Sequence, residues 1–256
     1  MTTRRLATTG VALVAVLGLG TTGCADRPGT ATSADRPATT TATSATPAAD
    51  AAGELTAAIA RLNEQSMRVK LDSAMITASG VSDPTARTMQ ATLDLPVFGK
   101  ASTLVIGKDT WVRFDGALGE RLGSGKKWMH MATGKGIMPV DDPGGVKKLL
   151  SAVVDVRRDG DRAFSGTLDY TRTGVDARAL AAAGDKAKAL PFTAAVDAEG
   201  RLTTFTMDMT PINASYGTMT ASYSDFGAPV KLSRPAAGDT VEAPAEIAKA
   251  FSGAGA

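Results

Sequence analysis

Residues 88–95 read Thr-Met-Gln-Ala-Thr-Leu-Asp-Leu, and Met89, Ala91, Leu93 and Leu95 alternate there with Thr88, Gln90, Thr92 and Asp94. Successive side chains of a strand point to opposite faces. This period therefore lays an apolar row on one side and a polar row on the other, the pattern of an antiparallel strand with one buried face. The same alternation is written on both sides of it. Met67, Val69, Leu71 and Met75 face one way while Arg68, Lys70 and Asp72 face the other. Phe205, Met207 and Met209 alternate with Thr204, Thr206 and Asp208, and Gly217, Met219, Ala221 and Tyr223 with Thr218, Thr220 and Ser222. Further strands are predicted at 102–106, 110–114, 127–131, 153–157 and 163–170, where Phe164, Gly166, Leu168 and Tyr170 share a face. Lys108-Asp109 and Glu199-Gly200 are the predicted hairpin turns.

Helical spacing is confined to short pieces. Leu55, Ile59 and Leu62 share one helical face ahead of the first strand, and Val146, Leu149, Leu150 and Val153 follow the turn at Pro143-Gly144-Gly145. The alanine-rich stretch 175–187 and the terminal stretch 244–251 are the other predicted helices. These helices are too few to cover both faces of so large a sheet. The expected fold class is α+β, a strongly curved antiparallel sheet with a few helices packed on its concave face.

Outside this region the chain changes character. Arg4 and Arg5 precede an apolar run from Val11 to Leu19 that is too short to cross a hydrocarbon core of roughly 30 Å, so it reads as a cleaved leader. The run ends in Gly20-Thr21-Thr22-Gly23-Cys24, with small residues before the only cysteine of the chain. This resembles the lipobox of bacterial lipoproteins, with Thr21 where leucine is usual. The resemblance implies cleavage before Cys24 and a thioether diacylglycerol and N-acyl chain on it, an anchor stronger than the marginal single chain. Residues 25–52 are Thr, Ala, Ser, Pro and Asp with almost nothing apolar beyond alanine, a composition that cannot repay ordering and reads as a flexible tether with a reach near 30 Å. The expected organisation is a leader at 1–23, lipidated Cys24 and tether at 24–52, and one folded domain at 53–256.

Charge and chemistry exclude more than they admit. Without residues 1–23 the chain holds 26 basic and 26 acidic residues, so nucleic acid is not an implied partner. With Cys24 acylated no thiol remains for a disulfide, a nucleophile or a metal. His130, the only histidine, sits in Lys127-Trp128-Met129-His130-Met131 and reads as a solvated strand residue; neither a catalytic triad nor a zinc site can be assembled around it from sequence. Asp141-Asp142 is expected to supply negative charge to the helix after Gly145. No HExxH, GxSxG or phosphate-binding glycine loop is present, so neither catalysis nor a cofactor is expected.

The methionines are the informative feature. Met67, Met75, Met89, Met207, Met209 and Met219 occupy predicted inward positions. Methionine is unbranched and adapts to irregular shapes, which suits a surface meeting acyl chains as well as one that fills gaps in an ordinary core. On strand parity, a lipid cavity would be lined by Met67, Leu71, Met89, Leu93, Phe164, Leu168, Phe205, Met207, Met209 and Met219.

The lipobox cysteine, the Thr/Pro tether, Trp111-Val112-Arg113-Phe114-Asp115-Gly116, Gly166-Thr167-Leu168-Asp169, Pro191-Phe192 leading through Val196-Asp197-Ala198-Glu199-Gly200-Arg201-Leu202, and Tyr223-Ser224-Asp225-Phe226-Gly227-Ala228-Pro229-Val230 follow one another in an order that resembles the actinobacterial LppX and LprG lipoproteins. The resemblance implies a half-barrel similar to the carriers LolA and LolB. It also implies an acylated lipid or glycolipid as ligand, an extracytoplasmic membrane location through Cys24, and a membrane transporter as a further partner. The competing reading is a tethered interaction or sensing module with a filled core, acting through 116–140, where Arg121, Lys126, Lys127 and Lys135 lie among glycines around Trp128.

Overall fold

The structure, a computed structural model, describes residues 48–96, 99–175 and 177–253. The chain divides into two units, Met1–Thr43 and Ser44–Ala256, and every described residue belongs to the second. The leader, Cys24 and nearly all of the tether lie outside the described residues.

Helix α1 (Ala48–Ala60) continues into a 3-10 turn, Arg61–Asn63, and buries Ala51, Leu55, Ala58, Ile59 and Leu62. It begins ahead of the expected boundary at 53. Strands β1 (Met67–Asp72), β2 (Thr77–Asp83), β3 (Thr88–Leu95), β4 (Gly99–Ile106) and β5 (Asp109–Phe114) follow. Then come a short α2 (Ala117–Arg121), β6 (Trp128–Met131), α3 (Val146–Leu150), β7 (Val153–Arg158) and β8 (Ala163–Leu168). After α4 (Ala177–Leu180) come β9 (Leu190–Val196), β10 (Leu202–Asp208), β11 (Thr218–Ser224), β12 (Thr240–Glu242) and α5 (Ala245–Gly253).

Among the described residues the twelve strands form one open sheet in the order β12-β6-β5-β4-β3-β2-β1-β11-β10-β9-β8-β7. Every pairing is antiparallel except that of β12 with β6. The fold is α+β, a large sheet with few helices. Register carries the apolar row from strand to strand: Met67 pairs with Ser82, Ser82 with Met89, Met89 with Val105, and Val105 with Thr110. On the other half, Leu71 pairs with Ala221, Ala221 with Phe205, Phe205 with Ala194, and Ala194 with Phe164. Helices α1 and α3 pack into the core cluster on this face through Leu55, Ile59, Val146 and Leu149.

Several local expectations change. Met75 is 47 % exposed, because β1 stops at Asp72 and the Ser73 side chain ties a turn onto Ile76. The β4–β5 turn is Gly107-Lys108, one residue earlier than predicted, since Gly107 supplies the left-handed φ of 64° and Asp109 already pairs with Ile106. The Glu199-Gly200 turn forms as expected, with the Asp197 carboxylate accepting the amides of Glu199 and Arg201. Strand β8 ends at Leu168, and Tyr170 begins a 3-10 turn capped by Asp169. The predicted helix at 175–187 is broken into α4 and a 3-10 turn from Gly184, which has φ 53°.

Candidate functional site

The ten residues expected to line a cavity share one packed apolar cluster, and none of them lines the cleft described below. Met89, Leu168 and Met207 have no exposure, and Met67, Leu93, Phe164, Phe205 and Met209 have 3 % or less. Leu71 and Met219 are half-buried and pack against the same cluster. Phe205 stacks on Phe192 with centroids 5.2 Å apart. These side chains therefore share one packed cluster with residues of α1 and α3. Cys24 lies outside the described residues.

Three polar positions interrupt the apolar row and decide what lies over it. Ser82, Thr103 and Thr110 are fully buried on the packed face. Buried hydroxyls need partners, and all three find them in the segment between β6 and α3. The Ser82 hydroxyl donates to the carbonyl of Val140, Thr103 accepts the amide of Ile137, and Thr110 accepts the hydroxyl of Thr133. The segment 133–140 is thereby strapped across β2, β4 and β5, with Met138 buried in the core and Ile137 and Val140 packed against it. From sequence 116–140 is expected to be a loop among glycines; the apolar run Ile137-Met138-Pro139-Val140 within it is what marks the strap.

Above this strap opens a cleft of about 1090 Å³. Four separated pieces of chain line it: the β2–β3 turn with Pro84, Thr85 and Arg87, Gly107 of the next turn, the strap with α3, and Phe251 of α5. Its apolar residues are Pro84, Ile137, Pro139, Val140 and Phe251, and its cations Arg87, Lys135, Lys147 and Lys148. Asp141 and Asp142 also line it. As expected from sequence, Asp142 serves the start of α3, where its two carboxylate oxygens accept the amides of Lys147 and Lys148 at 2.8 and 3.0 Å. Burial raises its pKa above the usual carboxylate value despite those amides. The Tyr223 hydroxyl donates to the carbonyl of Pro143 at 2.8 Å and holds the far end of the strap.

His130 is not the solvated residue expected. It lies on the opposite face of the sheet, between Asp109 of β5 (Nε2 to Oδ1, 3.0 Å) and Glu242 of β12 (Nδ1 to Oε1, 2.9 Å), beside the Trp111 ring. Carboxylates only accept, so both ring nitrogens must donate, and the geometry calls for imidazolium. Burial opposes that charge; the hydrogen bonds to Glu242 and Asp109 outweigh it and raise the pKa. Arg234 adds a second contact to Asp109 at 2.8 Å and lies over Trp111. Of the segment proposed for partner contacts, Trp128 sits under the Arg113 guanidinium.

Among the described residues no group of three or more His, Cys, Asp or Glu side chains is placed to hold a metal ion. No described helix is long and apolar enough to cross a membrane. Compared with known proteins, the chain matches no protein-family model and no curated protein.

Proposed function

We propose that this chain is a non-enzymatic, membrane-anchored envelope lipoprotein that binds acylated lipids or glycolipids and carries or presents them. The observation that carries this reading is the cleft whose floor, Ile137 and Val140, packs against the buried apolar cluster. A volume of about 1090 Å³ is ample for an organic ligand, since such sites typically hold about 300–1,000 Å³. Unbranched methionines on the same face can repack around chains that push the strap aside. A twisted sheet of twelve strands rarely stays flat. A bend toward α1 and α3 gives the half-barrel of LolA and LolB, which the resemblance to LppX and LprG also implies. Lipid on Cys24 would hold the domain at the extracytoplasmic face, where a membrane transporter could hand over or receive the ligand.

Charged substitutions at the eight fully buried residues of the ten are a poor test, because a charge there would unfold the domain. The test belongs at the half-buried floor. Val140→Trp, with Ile137→Trp as a second variant, fills the floor of the cleft. Lipid retained per protein should fall several-fold while the melting temperature holds within a few degrees. Unchanged retention in a folded variant would remove the cleft from the path of the lipid.

A further inference from the structure

The cations around the cleft do not come from one basic stretch. Arg87 stands on the β2–β3 turn, Lys135 on the strap, and Lys147 and Lys148 on α3. The chain as a whole has a formal charge of only +2, so four cations around one cleft are a local concentration. Of the two carboxylates there, Asp142 is turned to the backbone amides of α3. Among the described residues Arg87, Lys147 and Lys148 have no ion-pair partner within 4.0 Å.

Arg87 adds a second signal. Its φ of 54° is a left-handed conformation that glycine or asparagine adopts at lower cost. The turn around it is rigid: Asp83 accepts the amides of Thr85 and Ala86, the Arg87 amide donates to Pro84, and the Arg87 carbonyl accepts Gly107. The turn thus fixes a large cation at the edge of the cleft.

We infer that the cleft seats an amphiphile by an anionic phosphate ester headgroup, held among Arg87, Lys147 and Lys148, with its chains laid on Ile137 and Val140. This rests on the carrier reading above and names the headgroup that reading leaves open. Guanidinium and ammonium groups are the natural partners of phosphate oxygens, arginine through a two-pronged contact and lysine as a point charge. The apolar floor beside them distinguishes a lipid headgroup from a free anion, which would gain nothing from it.

The test uses the full chain in non-ionic detergent and three probes: dioctanoyl-phosphatidylglycerol, the uncharged dioctanoylglycerol, and inorganic phosphate. The expected result is a preference of about ten-fold for the anionic lipid over the neutral one, weakening with added salt. The triple variant R87Q/K147Q/K148Q, changed only at exposed positions, should lose that preference and keep its affinity for dioctanoylglycerol. Equal binding of the two lipids, or a preference that survives the triple variant, would overturn the headgroup assignment and leave the carrier reading standing. Inorganic phosphate binding as tightly as the lipid would make the cleft a soluble-anion site instead. If neither lipid binds, the carrier reading fails and the headgroup assignment with it.

Discussion

Gly80 shows how a single residue sets the packing of the sheet. A Cβ there would meet the carbonyl oxygen of Gln90 and come within 2.8 Å of the Ala91 Cβ, so β2 and β3 pack at a distance only glycine allows. Gly80→Val should lower unfolding free energy by about 1–3 kcal/mol through overpacking, measured by denaturant titration; a loss below about 0.5 kcal/mol would mean that the strands part freely. The inward residues of β2 are Ala78, Gly80 and Ser82, too small and too polar to produce the alternation that revealed β1, β3 and β10. That is why this strand was invisible in the sequence. The hydroxyls of Ser82, Thr103 and Thr110 were equally silent, because their role depends on carbonyl, amide and hydroxyl partners 23 to 58 residues away.

Among the elements, β12 was the hardest to foresee. Three residues pairing in parallel with β6 bury little and carry no period, and their attachment depends on side chains elsewhere. His130 pins Glu242, the Ala243 amide donates to the His130 carbonyl, and Arg234 reaches Asp109. Because the His130 pKa is raised, its contribution is full below the unfolded value near 6.5 and is lost as pH rises through the folded pKa. As pH rises from about 6.5, amide exchange in residues 228–253 should therefore quicken more than in β3, and His130→Gln should flatten that dependence. Glu242 is 81 % exposed, so the effect on global stability stays within about 1 kcal/mol. An exchange rate in this segment that tracks β3 at every pH would remove His130 as the fastening. Elements with a strong period were legible to within a few residues, as at β1, β3, β5 and β10, whereas α1 starts at Ala48, inside the stretch expected to be tether. The stretch 175–187 misled because alanine favours helix on average, while Gly184 breaks it and Leu180, Ala183 and Ala187 form their own small cluster.

For the whole molecule, the α+β class followed from one face of alternating residues, and the ten inward residues named from parity do share one cluster. Strand parity could not tell a filled face from an open one, since both need the same apolar row. Nor could it place the cleft, whose walls come from turns, a strap and the terminal helix. The central claim is that an amphiphile occupies this unit, and native mass spectrometry of the full chain, purified from bacterial membranes in mild detergent, tests it most directly. The account predicts an acylated species bound at near one-to-one ratio, removed by delipidation and regained from a membrane extract. A bare protein mass that stays bare after incubation with that extract would contradict it.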